Sequence, residues 1–186
     1  TPTRRGIAGT NAMNAELREK INPPAYNKKE MTFRDIVFRE GDKVMQIRNN
    51  YDLVTEFDDG HLDAGIYNGD LGIVEAVIPG QDALIVRFDD KRVTYTSDKL
   101  EELEPAYAMT VHKSQGSEYG AVILSVVDSA PQLQVRSVLY TAVTRAKKLL
   151  VIVGDDNVIA KMVSNDRRTR RYSGLRARLV QESQVV

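Results

Sequence analysis

The stretch Ala106–Gly120, AYAMTVHKSQGSEYG, gathers a dense set of side chains suited to polar chemistry. A short apolar run, AYAMTV, breaks into a polar turn that contains glycine, HKSQGSEYG. Ligand sites in α/β proteins form beyond the carboxyl ends of buried strands, and this pattern sets His112, Lys113, Gln115 and Glu118 in that position. The hydroxyl of Thr110, the imidazole of His112 and the ammonium of Lys113 are all suitable donors to phosphate oxygens. Gly116 lets backbone amides approach an anion, and the Glu118 carboxylate could hold a ribose hydroxyl. A second stretch, Leu139–Gly154, LYTAVTRAKKLLVIVG, carries Arg145. Gln134, Ser137, Thr141 and Arg145 follow one edge of a helical pattern at steps of three to four residues. An arginine there could meet the charge that builds on a transferred phosphoryl group. It could equally close an ordinary helix-end ion pair, and spacing alone does not choose between the two.

The elements that must position these groups follow from the apolar pattern. Gly9-Thr10 precedes a helical repeat with Met13, Leu17 and Ile21 on one face. Thr10 or Asn11 is the expected cap, and Asn22-Pro23-Pro24 the stop. Tyr26 to Arg39 reads as a polar connection over the surface. Short Val- and Ile-rich runs then follow: KVMQIR, LGIVEAVI, ALIVRF and KRVTYT, separated by Asn68-Gly69-Asp70, Pro79-Gly80 and Asp89-Asp90. That rhythm predicts a small antiparallel barrel. Asn49 to Gly65, rich in Asp and Gly, reads as a loop, and Asn68-Gly69 as a hairpin turn. From Ala106 the pattern returns to α/β. AYAMTV, AVILSVV and KLLVIVG read as strands covered on both faces. Between the last two lies a helix with Val135, Val138, Leu139, Ala142, Val143 and Ala146 on its buried stripe. Asp155-Asp156-Asn157 caps a further helix. The expected organisation is an α/β domain made of residues 1–39 and 104–165, a barrel at 40–103, and a basic tail at 166–186.

Composition narrows the class without naming a partner. The chain has 186 residues, 42% hydrophobic and 28% charged, enough for one or two small domains with a core. It has no cysteine, hence neither disulfides nor thiolate metal sites, and only two histidines, His61 and His112. No apolar run reaches the length of a membrane span and no signal-peptide pattern opens the chain, so a cytoplasmic protein without a membrane partner is expected. The 26 basic and 26 acidic residues balance, so any nucleic-acid surface must be local. Thr1-Pro2-Thr3 reads as the end of a strand, which leads us to expect a segment of a longer polypeptide. The tail carries Arg167, Arg168, Arg170, Arg171, Arg176 and Arg178, either a solvated end or a phosphate-contacting patch. Leu175 and Leu179 suggest a docked helical turn there.

THKSQG and YTAVTRAK resemble motifs V and VI of superfamily 1 helicases, most closely the RecD-like and TraA-like DNA helicases. TPTRRGIAGTNAMNAELREKINP resembles the motif IV region of that family. GDKVMQIRNNY and YNGDLGIVEAV resemble the SH3-like barrel inserted in its second motor domain. The resemblance covers residues 1 to 154. It implies a RecA-like parallel-sheet domain of the P-loop NTPase type, interrupted by the barrel. It also implies that Arg145 stabilises the phosphoryl-transfer transition state. Arg4 or Arg5, the latter the better match, would lie near the nucleotide with Gln115, Gly116 and Glu118. Thr110, His112 and Lys113 would face the DNA backbone. Asn68 and Tyr67, with Tyr51 and Lys43, would line the path of the single strand. The chain has no GxxxxGK[ST] loop, which a phosphate-loop ATPase needs. ATP and Mg²⁺ would therefore be held with a first RecA-like domain of the same polypeptide, and this chain alone is not expected to hydrolyse ATP. The implied partners are single-stranded DNA, single/double-strand junctions and the subunits of a nuclease complex. The implied activity is ATP-driven 5′-to-3′ movement and duplex unwinding. A non-catalytic single-stranded DNA-binding module and a protein-docking module are the alternatives.

Overall fold

The computed structural model describes residues 1–167, Gly174 and Arg178. Helix α1 spans Thr10–Ile21. Its cap is Gly9, in extended backbone with no side-chain cap bond, so neither Thr10 nor Asn11 serves. The cause is a close approach: a Cβ on Gly9 would lie 2.5 Å from the Arg5 carbonyl oxygen. Residues after the prolines were expected to form a connection. They instead form a hairpin, β1 (Glu30–Phe33) and β2 (Ile36–Arg39), paired Met31↔Phe38 and turning at Arg34, whose φ is 53°. The alternation of Met31, Phe33, Ile36 and Phe38 carries it, because Met31 and Phe38 enter the main core.

Seven strands make the central sheet: β3 (Lys43–Gln46), β4 (Asn50–Phe57), β5 (Leu62–Ile66), β6 (Leu71–Ile78), β7 (Ala83–Phe88), β8 (Lys91–Tyr95) and β9 (Leu103–Pro105). Their spatial order is β5-β4-β8-β7-β6-β3-β9, and every pairing is antiparallel. The stretch Asn49 to Gly65 is thus not a loop but the β4–β5 hairpin. Leu53 and Thr55 point inward on alternate positions, and Asp52, Val54 and Glu56 face out. Nor is Asn68-Gly69 a hairpin turn, since β5 and β6 lie far apart in the strand order. One cluster, including Phe38, Val44, Ile66, Leu84, Val86 and Leu103, fills the interior.

A buried polar chain crosses this core. The Tyr95 hydroxyl donates to Gln46 Oε1 (2.8 Å) and Gln46 Nε2 to Glu102 (2.9 Å), while Asn50 Nδ2 donates to both Glu102 oxygens. Burial, and then the charges of Glu102 and Asp70, push the Tyr95 phenol up from its ordinary value. A second knot ties the elements together. Asp42 accepts from Asn22 Nδ2 (2.8 Å), from the Arg39 amide (2.8 Å) and from the Tyr107 hydroxyl (2.9 Å).

The last part is a β–α–β unit: β10 (Tyr119–Val126), α2 (Arg136–Val143) and β11 (Ala146–Gly154), followed by α3 (Asp156–Ser164). β10 and β11 pair in parallel, Val122↔Leu150, as a helical crossover dictates. The Asp155 carboxylate accepts from the Asn157 amide and caps α3. Helices α2 and α3 cover one face through Val138, Leu139, Ala142, Val158 and Met162. The other face is open, with Ile123 72% and Val153 56% exposed. The expectation of cover on both faces is therefore met on only one. AYAMTV was expected as a strand and is not one. Its ladder-like contacts are confined to its ends: the Ala106 amide donates to the Lys43 carbonyl (2.8 Å), and Thr1 donates from its amine to the Met109 carbonyl (3.1 Å) and accepts at its carbonyl from the Val111 amide (3.0 Å). The tail expectations fall outside the described residues, apart from Asp166, Arg167, Gly174 and Arg178. Among the described residues no helix is long and apolar enough to cross a membrane.

Candidate phosphate-binding site

With so little ladder to hold it, the segment leading to the polar turn is fixed by a side chain. Asn14, on α1, donates from Nδ2 to the Ala108 carbonyl (2.9 Å) and accepts at Oδ1 from the Ala108 amide (2.8 Å). One carboxamide thus satisfies both backbone groups of a residue 94 positions away, as a neighbouring strand would. Downstream the chain coils through consecutive turns. The Ser114 amide donates to the Thr110 carbonyl, its hydroxyl to the Val111 carbonyl (2.8 Å), and the Lys113 amide to Thr110 Oγ1 (3.3 Å). Thr110 is buried and its hydroxyl holds the turn from within. Gly116 ends the coil at φ 85° with open space around it, so backbone conformation rather than crowding calls for glycine there.

Arg145 stands against this turn. It immediately precedes β11, and its carbonyl accepts from the Tyr119 amide (2.8 Å) at the start of β10. Its guanidinium donates to the carbonyls of Ser117 (2.9 Å) and Thr141 (3.1 Å) and to the Thr144 hydroxyl (3.2 Å). All three acceptors are neutral, and no carboxylate among the described residues pairs with it. The helix-end ion pair considered from sequence is therefore not what this arginine makes. Glu118 instead pairs with Lys147 at 2.9 Å. Lys147, and more weakly Arg145, hold its carboxyl below the ordinary range. Both partners of that pair are more than half exposed, so an incoming ligand can replace it at little cost.

A second charged group forms on the other side of the turn. Arg4 Nη2 donates to Glu104 Oε1 (3.1 Å), and Lys113 Nζ donates to Glu104 Oε2. Two residues assigned from sequence to different ligands thus converge on one carboxylate. They border a cavity of about 410 Å³ that runs between α1, β2 and β9. Arg5 is exposed and forms no ion pair among the described residues. His112 and Gln115 are also exposed on the turn. Tyr67 and Asn68 lie on the central sheet's β5–β6 turn. Tyr67 packs edge-on against Tyr51 (5.9 Å between centroids), and the Asn68 amide donates to Asn49 Oδ1 (2.9 Å). No hydrogen bond or ion pair among the described residues joins them to the polar turn.

Sequence reasoning missed Asn14, Glu104 and Lys147. Asn14 left one signal: asparagine is a poor helix-interior residue because its side chain seeks backbone partners, so its place mid-helix points to a tertiary task. Glu104 and Lys147 left none, because single charges look alike in a chain that is 28% charged.

Comparison with known proteins places the chain. Residues 13–88 match the family model for the ATP-dependent RecD-like DNA helicase SH3 domain, and residues 105–153 that for the UvrD-like helicase C-terminal domain. The RecBCD enzyme subunit RecD of Mycobacterium tuberculosis is 39% identical over 114 residues, 61% of this chain and 19% of that protein. The ATP-dependent RecD2 DNA helicase of Deinococcus radiodurans is 30% identical over 170 residues, 91% of this chain and 22% of that protein. The chain thus spans about a fifth of the length of these relatives. A solved structure described as "Structural Basis for DNA Unwinding at Forked dsDNA by two coordinating Pif1 helicases" aligns at a TM-score of 0.45 and 20% identity. That alignment covers 91% of this chain and 42% of the other.

Proposed function

We propose that this chain, which joins an SH3-like module to a UvrD-like helicase C-terminal domain and so belongs to the RecD-like helicase family, is the second RecA-like motor domain of an ATP-dependent DNA helicase. The complete protein would couple ATP hydrolysis to 5′-to-3′ movement on single-stranded DNA and to unwinding at single/double-strand junctions. The observation that carries this reading is Arg145. A half-buried guanidinium beside a glycine turn, bonded only to carbonyl and hydroxyl oxygens, exchanges those acceptors for phosphate oxygens with a gain in charge complementarity. Negative charge spreads over the γ-phosphoryl oxygens as the bond to the leaving group loosens, and an arginine delivered from a facing domain meets it.

The remaining groups divide by where the turn holds them. Gly116 and Gln115 present backbone and amide to the nucleotide, and Glu118 exchanges Lys147 for a ribose hydroxyl. Arg5, unpaired among the described residues, reaches the phosphates from the loop before α1. Lys113 and His112 hold the DNA backbone, and Thr110 shapes the turn that presents them. Mg²⁺ would be held by the first motor domain and supply charge neutralisation at the β- and γ-phosphates. Closure of the cleft between the domains would bring Arg145 to the nucleotide and alter the grip on the strand through the same turn. A stand-alone helicase and a nuclease-complex subunit both fit this site.

The test is DNA-stimulated ATP hydrolysis by this chain and by the complete protein. Turnover by the complete protein alone is the expected result. Absence of turnover in both, with folded protein and single-stranded DNA present, would leave a binding module in place of a motor.

A further inference from the structure

We infer that Arg4 and Lys113 form one anion seat, and that Glu104 occupies it as an internal counter-anion which a DNA phosphate must displace. The inference rests on the helicase reading and deepens it by naming the residue that sets the strength and discrimination of the grip. Glu104 lies on β9, fixed opposite Met45 by the β3–β9 pairing. Its two carboxylate oxygens each take one cation, Oε1 from Arg4 and Oε2 from Lys113. Two non-bridging oxygens of a phosphodiester would take the same pair of donors.

Arg4 lies 100 residues from Glu104, so local chain geometry does not force that contact, and Lys113 is brought to the same carboxylate by the turn nine residues on. Nor is burial the reason for it. The side chains of Glu104 and Lys113 are about one quarter exposed and that of Arg4 more than half, so each could be solvated alone. The seat opens on the cavity of about 410 Å³, where Ile36, Met45, Pro105 and Met109 supply an apolar wall. A phosphate in the seat would therefore have room beside it for its own sugar or base. An isolated anion must break two ion pairs for one seat, whereas a polyanion meets that cost while gaining contacts at His112 and beyond. Glu104 thus lowers affinity for single phosphates and favours a continuous strand.

The experiment is binding of a fluorescent oligothymidine to the complete protein, without nucleotide, across a salt series. Glu104→Gln keeps the shape and removes the charge. It is expected to bind about three- to tenfold more tightly at low salt, from two partly exposed pairs. The plot of log K against log salt should steepen by about 0.7 for each cation released to phosphate. Lys113→Ala in the Glu104→Gln background should remove most of the gain. A folding defect would weaken binding and cannot mimic this result. Equal or weaker binding by Glu104→Gln, with the wild-type slope, overturns the inference while leaving the motor reading to its ATPase test. No oligothymidine binding by the wild type at any salt overturns both.

Discussion

The central sheet and the β–α–β unit that follows it are built to opposite rules. The sheet region encloses its own core, and Phe38, Val44, Ile66, Leu84, Val86 and Tyr95 are each 0% exposed. Its interior polar groups are paired through Tyr95, Gln46, Glu102 and Asn50. The β–α–β unit covers only one face, leaving Leu149, Val151 and Val153 at 40% exposure or more. Charge divides the same way. Residues 40–103 hold 15 acidic and 6 basic residues, while the rest of the chain holds 11 and 20. A net charge of zero therefore conceals an acidic module set in a basic host. The acidic module is stabilised by a core that it shares with Met31 and Phe38 of the preceding hairpin, and it carries a field that repels phosphate. The host carries most of the cations and leaves one face of its sheet open. This division of charge agrees with the proposed reading, in which the polar turn and not the acidic module meets phosphate.

Breaking the chemistry on the host side should produce the largest effect. Arg145→Ala in the complete protein is expected to lower DNA-stimulated ATPase by about 10³-fold or more. Near-normal turnover would remove Arg145 from the site. Breaking the enclosed core comes next. Phe38→Ala should cost about 3–5 kcal/mol in denaturant unfolding, whereas Val151→Thr on the open face should stay within about 0.5 kcal/mol. Equal costs would mean that the two halves are not as different as their burial suggests. Tyr95→Phe leaves Gln46 Oε1 without its donor inside the core and should cost about 1–3 kcal/mol. Asn14→Ala should cost about 1–2 kcal/mol, and amide exchange should rise selectively at Ala108 and through the turn to Ser117. Uniform exchange across the chain would deny Asn14 its positioning role.

The smallest effect is set by pH. Burial, with the neighbouring Asp42 carboxylate, raises the Tyr107 phenol from its ordinary value to about 12. A phenol whose folded value lies above its unfolded value of about 10 binds its proton more tightly in the folded state. Its contribution is complete below pH about 10 and is lost as pH rises towards 12. Tyr107→Phe should flatten that part of the stability curve, and an unchanged alkaline slope would assign the loss to Tyr95 instead.

Strands with period-two alternation or unbroken apolar runs could be read directly. KVMQIR, LGIVEAVI, ALIVRF, KRVTYT, AVILSVV and KLLVIVG all became strands. The misreadings share a cause. In the hairpins β1–β2 and β4–β5, outward acidic and basic residues mask a minority of inward positions, such as Met31 and Leu53, so composition suggested loop where alternation decided strand. AYAMTV failed in the other direction. It has the composition of a strand, but a strand needs a partner along its length, and its backbone is met piecemeal, by Lys43 at Ala106, the Asn14 side chain at Ala108 and Thr1 at Met109 and Val111. In the site, residue types suited to phosphate chemistry were visible in the turn and at Arg145. Glu104 and Lys147, which pair with Lys113 and Glu118 of the turn, were not, because ion-pair partners are chosen by tertiary proximity.

The pairing of β3 with β9 has a consequence for how such a chain reaches its fold. Val44 sits opposite Pro105, so the sixty-odd residues between them leave and return at the same point. Loop-closure entropy grows only with the logarithm of length, and here the module's own folding pins the ends. The host can then join Asn14 to Ala108 almost as if they were near neighbours in sequence. A nascent chain that completes the acidic module first would carry its long-range contacts as short-range ones, and lengthening or trimming the outer hairpins should leave the order of assembly intact.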